Sequence, residues 1–155
     1  MLLKKFKKRH TPSKVFKSLL ADLEKIRKNG DRVVLYGQNT GANWLGINIA
    51  TTLIFPEESL EIPQEFSSCM LSSNQQADLL NSIANLEFKT VIFSGFAEYG
   101  ASWVQQLKEH TQIEVIYHGT FAELHNPKNQ LRFAEITNLA LGGAIHKVGF
   151  ISKDM

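Results

Sequence analysis

Three short polar stretches interrupt this sequence where apolar, β-branched runs stop: Gly37-Gln38-Asn39-Thr40-Gly41, Ser94-Gly95-Phe96-Ala97-Glu98 and Tyr117-His118-Gly119-Thr120. Their side chains offer an imidazole, hydroxyls and a carboxylate. His118 is the candidate catalytic residue, because an imidazole serves as acid, base or hydrogen-bond partner near neutral pH. The alternative is a hydrogen-bonded structural histidine, and no Asp stands beside it in sequence to orient it for proton transfer. Gly95 lets a ligand approach the backbone closely. Glu98 either accepts hydroxyls from a ligand or favours the first turn of the next helix. The loop Gly37 to Gly41 reads either as a cradle of backbone amides for a phosphate or as a surface turn that uses Asn and Gly for their backbone freedom.

Several chemistries lose their sequence basis. The loop after Tyr36, with Gly46 beyond it, has neither the G-x-G-x-x-G nor the G-K-[ST] pattern. Ser94-Gly95 is not a G-x-S-x-G elbow, which speaks against an α/β-hydrolase. His10, His110, His125 and His146 lack metal spacing, and no H-E-x-x-H occurs. Neither a metal nor a cofactor is expected. Cys69 is the sole cysteine, so no internal disulfide forms, and a reducing cytoplasmic setting is the default.

The elements that must position these residues follow from periodicity. Thr11-Pro12-Ser13 opens a helix in which Val15, Phe16, Leu19, Leu20, Leu23 and Ile26 recur at helical spacing. Asn29-Gly30 closes it, with Gly30 as a left-handed cap. Strands are expected at Arg32–Tyr36, Thr90–Phe93, Glu114–Tyr117 and Lys147–Ile151, with shorter ones at Ser59–Ile62 and Phe66–Leu71. Leu45–Phe55 is ambiguous: its length suits a helix, its Ile and Thr content a strand. Ser72-Ser73-Asn74 caps a helix from Gln75 to about Leu86. Another runs from about Tyr99 to Glu109. Asn126-Pro127 is a turn before a helix from Asn129 to about Leu141, which Gly142-Gly143 ends. Helices alternating with buried strands predict an α/β fold: a Rossmann-like three-layer sandwich with a mainly parallel sheet. In such sheets ligands bind outside the carboxyl ends of the strands, where all three polar stretches lie.

The 155 residues suffice for one domain with a sizeable core, and 43% hydrophobic with 21% charged residues is an ordinary globular composition. No apolar run is long enough to cross a membrane, and the N-terminus lacks a signal-peptide pattern. The net charge of +2 conceals an asymmetry. Residues 1–17 hold Lys4, Lys5, Lys7, Lys8, Arg9, Lys14 and Lys17 without an acid, while the rest of the chain is mildly acidic. A general nucleic-acid binder spreads its positive charge over a face, so none is expected as partner. The basic arm suits an anionic membrane surface or is a solvated terminus. Residues 1–30 are thus read as a basic arm and amphipathic helix, and 31–155 as the Rossmann-like domain. Ending shortly after a strand, the sheet is expected either to be cut at a domain boundary or to finish on an edge strand.

Ile113–Leu124, IEVIYHGTFAEL, preceded by Val91–His110, VIFSGFAEYGASWVQQLKEH, resembles the N-terminal domain of GT-B glycosyltransferases, in particular the retaining group that builds bacterial cell-surface polysaccharide and lipopolysaccharide. His146–Met155 is similar to the segment that closes that half. The resemblance covers about residues 31–155. It implies two Rossmann-like domains across a cleft: this one on the side of a sugar or lipid-linked acceptor, and a C-terminal one, absent from this sequence, holding a nucleotide-sugar donor. It places Gly37, Gln38, Asn39, Thr40 and Gly41 over the donor phosphates or sugar. Gly95, Phe96 and Glu98 line the acceptor side, and His118, with Gly119 and Thr120, meets the transferred sugar. The tandem glycines often found in the first loop of that family are missing here. Read without the resemblance, the chain is a flavodoxin-like module for a nucleotide or other small phosphate ligand, or a non-catalytic partner protein.

Overall fold

The computed structural model describes residues 14–38, 42–63, 73–118 and 124–150. The basic arm before Lys14, the expected strand at Phe66–Leu71 and the expected caps at Thr11 and Ser72 lie outside them. The elements run α1 (Lys14–Asn29), β1 (Arg32–Gly37), α2 (Ala42–Ile54), β2 (Ser59–Ile62), α3 (Ser73–Asn85), β3 (Thr90–Ser94), α4 (Gly100–Leu107), β4 (Gln112–Tyr117), α5 (Pro127–Leu141) and β5 (Lys147–Phe150). The five strands form one wholly parallel sheet in the order β2-β1-β3-β4-β5. This is the expected α/β, Rossmann-like three-layer arrangement.

Register shows why the strands read as apolar runs. Leu60, Leu35, Phe93, Val115 and Val148 form one row across the sheet. Parallel strands covered on both faces need apolar side chains in both directions. β1 accordingly has four consecutive buried residues, Val33 to Tyr36. One face carries the main core: Val33, Leu35, Leu60, Ile62, Val91, Phe93, Ile113, Val115 and Tyr117 pack with Leu19, Leu23 and Ile26 of α1, Leu79, Leu80 and Ile83 of α3, Trp103, Val104 and Leu107 of α4, and Ile136 of α5. Each fully buried Leu or Ile contributes about 1.5–3 kcal/mol.

The opposite face carries α2 alone among the described helices. Topology explains the imbalance. The crossover from β1 to β2 moves one way along the sheet, whereas those leading to β3, β4 and β5 move the other way. With crossovers of one hand, helices of opposite travel fall on opposite faces.

The ambiguous segment is the helix α2. Leu45, Ile49, Leu53 and Ile54 remain exposed on its outer side. Of the apolar stripe of α1, Leu19, Leu23 and Ile26 are buried in the main core, Phe16 and Leu20 are half-buried and Val15 is exposed.

Two chain reversals differ from expectation. Gly30 follows α1 but is not left-handed; its N–H simply donates to the Ile26 carbonyl at 3.0 Å. Left-handed residues behind helices are instead Glu87, at φ 54° after α3, and Gly143, at φ 77° after α5. Asn126-Pro127 is more than a turn. The Asn126 side chain accepts from the Lys128 N–H at 2.9 Å and Pro127 occupies the first helical turn, so α5 begins two residues earlier than expected.

Candidate functional site

Because the sheet is wholly parallel, the tips of β1, β3 and β4 share one edge. The change of direction in strand order falls between β1 and β3, the switch point where doubly wound sheets open a crevice. At the carboxyl end of the α2 face, one register row reads Glu61, Tyr36, Ser94, Ile116, Gly149. Ser94 is the hydroxyl at its centre.

Ser94 is only 2% exposed, and its Oγ lies 2.9 Å from Nε2 of His118. The same oxygen lies 2.6 Å from Oγ1 of Thr51, itself 1% exposed on α2. Thr51 donates to the Ile47 carbonyl one turn back, at 2.7 Å. A chain of hydroxyls thus runs from the interior of α2 to the imidazole at the β4 tip. Burial without a countercharge holds the His118 pKa below its ordinary 6.5, so the ring is neutral at pH 7.

Asn48, one turn before Thr51 on the same helix, donates Nδ2 to the Gly37 carbonyl at 3.1 Å. Its Oδ1 is buried without a partner. From the other face, the Tyr99 hydroxyl lies 3.6 Å from where a Cβ on Gly37 would stand. Burial raises the Tyr99 pKa far above its usual value, so it remains a neutral phenol. Its ring stacks at a tilt on Trp103, 4.4 Å between centroids.

The expected site residues separate into distinct roles. His118 stands at the edge, joined to the β3 tip. Gly37 ends β1 with its carbonyl occupied by Asn48. The Gln38 N–H donates to the Ile62 carbonyl at 2.8 Å, so it extends the sheet and is not available to a phosphate. Any amide cradle would therefore fall on Asn39, Thr40 and Gly41, which lie outside the described residues, as do Gly119 and Thr120.

Gly95 is left-handed at φ 80°, turning the chain out of β3, while its N–H still donates to the Ile116 carbonyl at 2.9 Å. Phe96 does not line the open edge. It is 5% exposed, packs edge-on against Phe93 and fills the space beside Gly100, where a Cβ would come within 2.8 Å of its ring. Glu98 does not cap α4, whose cap residue Tyr99 makes no side-chain capping bond. Its exposed carboxylate instead lies 3.7 Å from Arg132 of α5, which also pairs with Glu135.

Thr51 and Asn48 were not expected in the site. Their signal was present: two hydrogen-bonding side chains three residues apart, one helical turn, in an otherwise apolar segment.

A polar groove of about 300 Å³ lies elsewhere, between α1 and the β2 edge, with Asp22, Lys25, Tyr36, Glu57 and Glu61 in its wall. Its lining contains no imidazole, and the Tyr36 hydroxyl there is bonded to Glu61. No group of three or more His, Cys, Asp or Glu is placed to hold a metal ion among the described residues, and no described helix is long and apolar enough to cross a membrane. No protein-family model, curated protein or solved structure matches the chain.

Proposed function

We propose that this chain binds a polyhydroxyl ligand at the carboxyl edge between β1 and β4, as the acceptor-side domain of a GT-B glycosyltransferase acting in cell-surface glycan or lipopolysaccharide synthesis. The observation that supports this reading is the Thr51–Ser94–His118 relay, which holds a neutral imidazole at the strand tips. A neutral ring bonded to a buried hydroxyl suits recognition of a sugar hydroxyl. It suits proton transfer poorly, since no carboxylate hydrogen-bonds the ring among the described residues. A second Rossmann-like domain, in this chain or another, would face the edge and hold the nucleotide-sugar. In that assembly His118 stabilises the transferred sugar through a hydrogen bond whose strength grows in the transition state.

The experiment is His118→Ala in the protein combined with its donor-binding domain. Loss of one such contact lowers turnover by roughly 5- to 150-fold, following a cost of about 1–3 kcal/mol, without altering the circular dichroism spectrum. Unchanged turnover would refute the assignment.

The strand order favours a second reading. β2-β1-β3-β4-β5 is also the order of flavodoxin-like modules, which bind phosphate-bearing ligands at the β1/β3 switch point. A nucleotide that copurifies with the protein, and whose release perturbs the β1 tip but not His118, would favour that module.

A further inference from the structure

The relay has a direction, and the direction specifies the ligand. Thr51 has one hydroxyl proton. Its Oγ1 lies 2.7 Å from the Ile47 carbonyl, and two oxygens at that distance repel unless a proton lies between them. The Ile47 carbonyl carries no proton, so Thr51 donates to it. Thr51 Oγ1 then has only lone pairs to offer Ser94 at 2.6 Å, and Ser94 must donate its own single proton to Thr51. Ser94 Oγ is in turn an acceptor toward His118, and Nε2, at 2.9 Å, must carry the hydrogen.

In a neutral ring only one nitrogen is protonated. Nδ1 therefore presents a lone pair. No group hydrogen-bonds Nδ1 among the described residues, and it does not belong with Asn48 Oδ1 and Trp103 Nε1, the polar side-chain atoms buried without a partner. The residue as a whole is half-buried.

Resting on the sugar-site reading above, we infer that Thr51 is a specificity-determining positioning residue: it fixes His118 as the Nε2–H tautomer, so that Nδ1 accepts from a ligand hydroxyl and gives no foothold to a phosphate or sulfate oxygen. Two consequences follow. Ser94 is not a nucleophile activated by His118, because the ring has no lone pair on the nitrogen that faces it. Another polar atom without a partner, Asn48 Oδ1 on the helix that packs against Ser94, is also an acceptor. The low pKa of His118 agrees, since a cationic ring would donate from both nitrogens.

Nitrogen-15 NMR of the labelled full chain at pH 8 tests this. In a neutral imidazole the unprotonated nitrogen resonates well downfield of the protonated one. The downfield signal should belong to Nδ1 in the wild type. Thr51→Val, close in shape, frees the Ser94 proton to turn toward Nε2 and should shift population to the Nδ1–H tautomer. Ser94→Ala, a smaller change, should let both tautomers average. A downfield Nε2 in the wild type overturns the proposal, as does an unchanged ratio in both variants.

Titration with methyl glucoside, a hydroxyl donor, should move Nδ1 upfield. Sulfate, which only accepts, should leave it in place; a shift of Nδ1 with sulfate on the neutral ring overturns the ligand specificity. A ring that is Nε2–H but silent to methyl glucoside refutes the sugar-site reading while the relay stands.

Discussion

At the scale of single residues, the site depends on burial more than on charge. His118 gains no carboxylate partner, and its ring is discouraged from ionising by desolvation alone. Its titration midpoint, followed by its ring proton shifts, should lie below 6.5. The sign for stability follows from proton uptake. The unfolded chain binds the proton more readily, so this group's contribution is complete above pH 6.5 and declines as pH falls toward the folded midpoint. His118→Gln, an uncharged replacement, should flatten that part of the stability–pH curve in chemical denaturation. A second residue-scale outcome concerns Glu87, which holds the left-handed conformation at φ 54° that glycine adopts without strain. Glu87→Gly should stabilise the fold by on the order of 1 kcal/mol in urea unfolding. The opposite change at Gly95, to Ala, should destabilise it, because φ is 80° there and the turn out of β3 allows little adjustment.

At the scale of elements, helices of similar length have opposite tolerances. α5 begins at a complete cap, Asn126 accepting from Lys128 with Pro127 in the first turn. Asn126→Ala should cost about 1 kcal/mol, read as a lowered urea midpoint. α2 is unusual in another way: its inner side holds the polar contacts to β1 and β3, while its outer side is apolar and exposed. Leu53 is 76% exposed, so Leu53→Ser should change stability by no more than about 0.5 kcal/mol. Leu23 of α1 is fully buried, so Leu23→Ala should cost about 2–5 kcal/mol. An equal effect of the two substitutions would contradict the layer assignment.

At the scale of the whole molecule, one sheet with unequal faces sets the distribution of stability. β1, β3 and β4 are paired on both sides, whereas β2 and β5 are edges of the described sheet. Amide exchange should be slowest in Val33–Leu35, Val91–Phe93 and Ile113–Val115, and faster in Ser59–Ile62 and Lys147–Phe150, since inner strands open only with the main core. Exchange fastest in β1 or β3 would be inconsistent with this order. The switch point thus lies between two strands that are each paired on both sides. This gives the His118 relay a rigid base, as positioning within a fraction of an ångström requires.

The sequence by itself determined the fold class and set the polar strand ends on one edge of the sheet. Burial on both sides forces parallel strands into continuous apolar runs, and RVVLY and TVIF carry that mark in one dimension. Polar residues that end such runs in a parallel sheet must share an edge, so His118 and Ser94 could be placed together without coordinates.

Only the tertiary structure decided what meets what. Periodicity records which way each side chain points from its own strand or helix, not which element lies opposite. Ser94 and His118 are 24 positions apart and Thr51 and Ser94 are 43 apart, pairings fixed by strand order and by the face α2 occupies. The same cause explains two partners that the sequence did not indicate. Phe96 sits in an edge stretch but turns into the core beside Gly100, and Glu98 is drawn to Arg132 of a helix that follows later in the chain. The tautomer of His118 lies wholly on this side of the division, because it depends on three hydroxyl and carbonyl oxygens brought into line by two strands and the helix above them.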